Sequence, residues 1–156
     1  DFEHEQNRRF NPSFMINAVS EYQKKHQDIE MYSFQRDENL ITLPSNIIDL
    51  DEKLLTWMDT AKYLSEMDLV ISSCTSVAHL SATLQIPTWI MVPRLPYYIW
   101  ADTTHASYES NLSLPTPWYE TVNIFRQEEY GESGWESLFQ KLPALLNLWR
   151  AICFSP

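Results

Sequence analysis

The sequence has 156 residues, 11 Lys+Arg against 21 Asp+Glu, and a formal net charge of −10. Only Gly131 and Gly134 are glycine, where average usage near 7% would supply about eleven. That scarcity excludes the GxGxxG dinucleotide fingerprint and the GxxxxGK(S/T) phosphate loop. The acidic balance argues against duplex nucleic acid and anionic membrane surfaces as main partners, but a small anionic ligand needs only a local patch.

Residues 1–11 are polar and irregular, with His4, Arg8 and Arg9 forming a small basic group beside Glu3 and Glu5. This group can reach an anion or simply pair with the nearby carboxylates. Asn11, Pro12 and Ser13 read as a helix start. Phe14, Ile16, Val19 and Tyr22 follow at near-helical spacing, which predicts a helix over 12–26. Residues 29–34 (IEMYSF) predict a short strand, followed by a polar break. Residues 40–50 read mostly as loop, with room for one short strand.

Asp59 and Thr60 read as the cap of a helix over 59–67. Residues 68–72 (DLVIS) form an apolar, β-branched run of the kind found in strands buried on both faces. Thr75 and Ser76 offer a second cap, and residues 77–84 predict a helix that Pro87 ends. Residues 88–92 (TWIMV) predict another buried strand. Helix, strand, helix, strand over 59–92 is the signature of a parallel sheet. Residues 93–118 form a long loop rich in Pro and aromatics, and a loop of that length in one domain is usually functional. It can stack a base or sugar, cover a sheet edge, or meet a protein partner through 97–118. Residues 122–126 (VNIFR) predict a last strand, and 135–149 a C-terminal helix interrupted or kinked by Pro143. The fold class predicted is α/β, a Rossmann-like single domain with a mostly parallel sheet of four or five strands flanked by helices.

Cys74 and Cys153 stand far apart, in no zinc-type spacing, and point to a reducing cytosol rather than a disulfide framework. No apolar run is long enough to span a membrane and no signal peptide is visible. The chain opens on Asp1 in mid-pattern, so a fragment of a longer protein is expected.

The strongest local signal is 72–79, Ser-Ser-Cys-Thr-Ser-Val-Ala-His, between a buried strand and a helix. Such a turn lies at the carboxyl ends of the strands, where open α/β folds bind ligands. A helix start offers N–H groups and partial positive charge to a phosphate. The hydroxyls of Ser72, Ser73, Thr75 and Ser76 leave room and add donors. An ordinary Ser/Thr helix cap is the plainer alternative. His79 reads as a packed, hydrogen-bonded residue. Cys74 sits where a helix start lowers a thiol pKa, but with no partner evident it reads as a small, semi-buried residue.

The stretch from Asp68 to Pro87 (DLVISSCTSVAHLSATLQIP) resembles the donor-site motif of heptosyltransferase-like glycosyltransferases. It is most similar to those bacterial proteins in which such a domain follows tetratricopeptide repeats. These are distantly similar to O-linked N-acetylglucosamine transferases. Residues 3–9 (EHEQNRR) resemble the family's basic segment, 32–35 (YSFQ) its second-strand end, and 59–61 (DTA) its next helix cap. Residues 93–100, 116–119 and 124–127 resemble its late motifs. The resemblance covers about residues 2–142.

It implies the C-terminal, nucleotide-sugar-binding half of a two-domain GT-B glycosyltransferase. The parent protein would transfer a hexosyl or heptosyl group from a nucleotide diphosphate sugar to a glycan, lipid-linked or protein acceptor. Ser73, Cys74, Thr75, Ser76, Val77 and His79 would surround the donor pyrophosphate, with Arg8 as a further phosphate contact. No metal or other cofactor is expected, and no catalytic residue is assigned. The family usually has Asp at the position of Cys74, and Gly at those of Ala82 and Gln85. Its first strand and N-terminal half are expected upstream of Asp1, so this chain alone is expected to be inactive. Two rival readings are a degenerate, non-catalytic module used for protein contact and a nucleotide-binding regulator.

Overall fold

A computed structural model describes residues 9–36, 42–100 and 114–154. Arg8 and residues 101–113 of the aromatic loop lie outside them.

Helix α1 spans Pro12–Lys25. The Asn11 side chain accepts from the Ser13 N–H at 3.0 Å, and Pro12 stands in the first turn, where its missing N–H costs nothing. Strands β1 (Met31–Ser33) and β2 (Ile47–Asp49) pair in parallel, Met31 opposite Ile47. β2 is the one strand that 40–50 had room for.

Helix α2 spans Trp57–Leu64, so its start lies two residues before the position expected from Asp59 and Thr60. Thr56 is the cap. Its Oγ1 accepts from the Asp59 N–H at 3.2 Å, while the Asp59 carboxylate accepts from the Thr56 N–H at 2.8 Å. This reciprocal capping box satisfies two donors at once, which a cap at Asp59 would not.

Strand β3 (Val70–Ser73), helix α3 (Ser76–Thr83) and strand β4 (Thr88–Val92) follow as the sequence predicts. α3 ends in a Schellman arrangement, with Gln85 N–H on the Ala82 carbonyl and Ile86 N–H on that of Ser81. Gln85 holds φ +60°, the left-handed conformation that glycine tolerates best. Thr88 and Ser81 are fully buried, and their hydroxyls meet at 2.9 Å, pinning α3 to β4.

Strand β5 (Leu114–Pro115) lies inside the stretch read as loop, and β6 spans Val122–Arg126. Helix α4 spans Glu132–Cys153 without a break. Pro143 does not end it. Its missing N–H removes only the bond to the Phe139 carbonyl, and the flanking Leu142 and Leu146 are buried on the core side, so packing outweighs that loss. Gly131 (φ +87°) turns the chain into α4.

β3, β4 and β6 run parallel, and β5 joins the outer edge antiparallel, in the order β3-β4-β6-β5. Pro115, which has no N–H to give a ladder, stands on this edge strand, where proline is tolerated. Side chains alternate across β4. Trp89 and Met91 join Phe125 under α1 and α4, with Val19, Tyr22, Trp135, Phe139 and Leu142. Ile90 and Val92 join Val122, Ile124 and Trp100 under α3. The sheet is therefore covered on both faces, which is why β4 is buried at every residue. The chain is an α/β, Rossmann-like fold. Its sheet is mostly parallel, though divided among the described residues into the β1-β2 pair and the four-stranded β3-β4-β6-β5 unit.

Candidate functional site

From β1 the chain steps to β2. From β3 it steps to β4 and then β6. β1 and β3 are not ladder partners, yet Met31 of β1, Ile47 of β2 and Ile71 of β3 pack on one core. Open α/β sheets bind ligands in the crevice outside the carboxyl ends of the strands.

A cavity of about 490 Å³ lies there. Phe34, Gln35 and Arg36 wall it just beyond β1. Leu54, Leu55, Thr56, Trp57 and Thr60 wall it at the start of α2, and Thr75, Ser76 and Val77 at the start of α3. Its floor and mouth are apolar in part: Leu54 is buried, while Leu55 and Trp57 are 72% and 60% exposed. The polar wall carries several hydroxyls and one guanidinium, whose Nε stands 3.7 Å from the Asp51 carboxylate.

The two helix starts differ. The α2 start is occupied by its own capping box, with the Asp59 carboxylate on it. At α3, Thr75 holds the N-cap position with extended backbone (φ −121°, ψ 173°), but its side chain makes no cap bond. Its Oγ1 turns instead to the Ser72 Oγ, 3.1 Å away. The ordinary Ser/Thr cap weighed as the plainer alternative is therefore not what Thr75 forms. Thr75 and Ser76 are exposed, and the first-turn N–H groups of α3 have no side-chain acceptor from Thr75.

Of the residues singled out in the sequence, Thr75, Ser76 and Val77 line the cavity. Ser73 ends β3, half-buried. Cys74 packs against the Ala78, Ile90 and Trp100 cluster and is not joined to Cys153 by a disulfide. His79 is a packed, hydrogen-bonded residue: its Nδ1 is 3.0 Å from the Tyr119 Oη, and its ring stacks on Trp100 at 4.7 Å. Burial pushes its pKa below the usual histidine range, because desolvation penalises the imidazolium. The sequence reading did not bring Arg36, Leu54, Trp57, Trp100 or Tyr119 to the site. Residues 32–35 and 116–119 were matched as family segments, and that order was the available signal.

Among the described residues, no group of three or more His, Cys, Asp or Glu could hold a metal ion, and no helix is long and apolar enough to cross a membrane. The arrangement defines a Rossmann-like α/β domain with a cavity beyond the ends of β1 and β3. Comparison with protein-family models, with curated proteins and with solved structures finds no match in any of the three.

Proposed function

We propose that this chain is the donor-binding half of a glycosyltransferase, which holds the diphosphate of a nucleotide sugar at the start of α3. The observation that carries the reading is the contrast between the two helix starts beside one cavity. One is closed by its own carboxylate. The other is uncapped by its N-cap side chain and flanked by the hydroxyls of Thr75 and Ser76. Backbone N–H groups at Ser76 and Val77 would hold the phosphate oxygens, and Arg36 supplies the cation on the opposite wall. As the sugar leaves, charge grows on the diphosphate, and fixed N–H dipoles stabilise it without reorganising. The apolar faces of Phe34, Leu54 and Trp57 suit the nucleoside. The resemblance of 68–87 to the donor motif supports the same assignment. Arg8 enters the proposal through that resemblance alone.

Isothermal calorimetry with UDP, GDP and ADP tests it. At least one is expected to bind, with affinity lowered about tenfold or more in Arg36→Ala, since a hydrogen bond to a charged group is worth about 1.5–3 kcal/mol. Binding by none of the three refutes it.

A second reading, a module kept for protein contact, is favoured by Leu95, Tyr97, Tyr98 and Trp118, each more than three-fifths exposed. It predicts no nucleotide binding and a partner lost on Tyr97→Ala with Tyr98→Ala.

A further inference from the structure

The packing around His79 goes beyond what a lone helical histidine needs. Residues 98–100 form a 3-10 turn that carries Trp100, which is 2% exposed and lies stacked on the imidazole with 29° between the planes. Tyr119 arrives from the other end of the same long connection, just before β6. Its ring meets the imidazole edge-on at 5.9 Å and its hydroxyl bonds to Nδ1. Two segments far apart in sequence therefore fix the plane of one ring and engage one of its two nitrogens. On α3, residues i and i+4 share a face, and a helical side chain leans back toward the N-terminus. His79 thus shares a face of α3 with Thr75, whose carbonyl accepts from the His79 N–H at 3.4 Å.

Which ring nitrogen carries the proton is set by the bond the other makes. A phenol hydroxyl is the stronger donor of the two neutral groups, and a neutral imidazole nitrogen is a good acceptor. Desolvation keeps the ring neutral. With Nδ1 accepting from Tyr119, the proton sits on Nε2. We infer that Tyr119, braced by Trp100, is a positioning residue that holds His79 as the Nε2–H tautomer beside the first turn of α3. His79 then serves the site as a hydrogen-bond donor and not as a base. The tautomer is inferred from the Nδ1–Tyr119 contact and the greater donor strength of the phenol. The use made of it, donation toward a bound diphosphate, rests on the donor-site reading.

Long-range proton–nitrogen correlation spectra of the full chain at pH 7.5 test this, with the His79 signals assigned by their loss in His79→Asn. The expected pattern is a pyridine-type shift at Nδ1 and a pyrrole-type shift at Nε2. Tyr119→Phe should leave the backbone amide spectrum of the β-sheet in place. It should convert His79 to a tautomer mixture and weaken inorganic pyrophosphate binding about tenfold. A wild-type ring protonated at Nδ1, or a tautomer unmoved by Tyr119→Phe, overturns the inference whatever pyrophosphate does. The expected tautomer with no pyrophosphate or nucleotide binding overturns the donor-site reading and leaves the role of Tyr119 standing. The wild-type spectrum alone decides the tautomer, so the test survives a variant that folds poorly.

Discussion

Replacing Thr56 and Thr75 by alanine, one at a time, separates the two helix starts that border the cavity. Both are exposed threonines at N-cap positions with extended backbone, so propensity and burial give them equal costs. The hydrogen bonds do not. Thr56→Ala removes an acceptor 3.2 Å from the Asp59 N–H and the hydroxyl that meets the Asp59 carboxylate at 2.7 Å. Loss of a side chain that caps a helix costs about 1 kcal/mol, within a range of about 0.5–2. In a domain of this size each kcal/mol moves Tm by roughly 2–4 °C. Thr75→Ala removes no cap and one exposed contact to Ser72, so it should stay within about 0.5 kcal/mol. Thermal and urea melts of the two variants, with Thr56→Ser as the control that keeps the oxygen, measure the gap. A double-mutant cycle with Asp59→Ala should show coupling of about 0.5 kcal/mol or more. Equal losses for Thr56→Ala and Thr75→Ala would refute the claim that α3 begins without a cap, and with it the basis for placing an anion there.

Three further outcomes follow from the geometry. Gln85→Gly should raise Tm, because the left-handed backbone at φ +60° costs an L-residue about 1–2 kcal/mol that glycine avoids; a fall in Tm would mean that the Gln85 side chain itself stabilises the turn. The Lys141 ammonium and the Ser137 hydroxyl hold the Glu128 carboxyl below the usual carboxylate range. Its contribution is therefore full above the unfolded pKa and disappears as pH falls through the lower folded value. Glu128→Gln should be destabilising in urea melts at pH 7 and nearly neutral at pH 3; an equal loss at both pH values would contradict the pairing. His79 acts in the same direction in a different pH window. Its folded pKa is depressed, so the unfolded chain binds a proton first as pH drops below about 6.5, and stability is lost on that side. The decline in stability from pH 7 to pH 5 should be shallower in His79→Asn than in the wild type, and an unchanged slope would show that the ring is not desolvated.

The β3-α3-β4 unit was legible because its strands are continuous apolar runs, and Pro87 marks where the helix cannot continue. The same strand-to-helix turn brought Thr75, Ser76 and Val77 forward, although an ordinary Ser/Thr cap was the plainer reading of that spacing. The α2 start was misplaced by two residues because Thr56 and Asp59 both look like caps. What decides between them is a carboxylate reaching back to the Thr56 N–H, a contact that spacing does not distinguish from a cap at Asp59. Pro143 read as a break because local rules see the lost N–H and not the buried leucines on either side of it. The other cavity wall was hidden for a different reason. Arg36 and Trp57 meet α3 only through the placement of β1 and α2 against it, which no local pattern reveals. The same holds for Tyr119 and His79, 40 residues apart.

The central claim is that the start of α3 receives a phosphate group. Titrating nitrogen-labelled protein with inorganic pyrophosphate, which carries no nucleoside to meet Trp57, while following backbone amides tests it most directly. The account predicts the largest shifts at Ser76 and Val77, saturating with the ligand, and little movement at Trp57 and Met58 in the capped first turn of α2. Shifts centred on α2, or no saturable shift at either helix start, would contradict it.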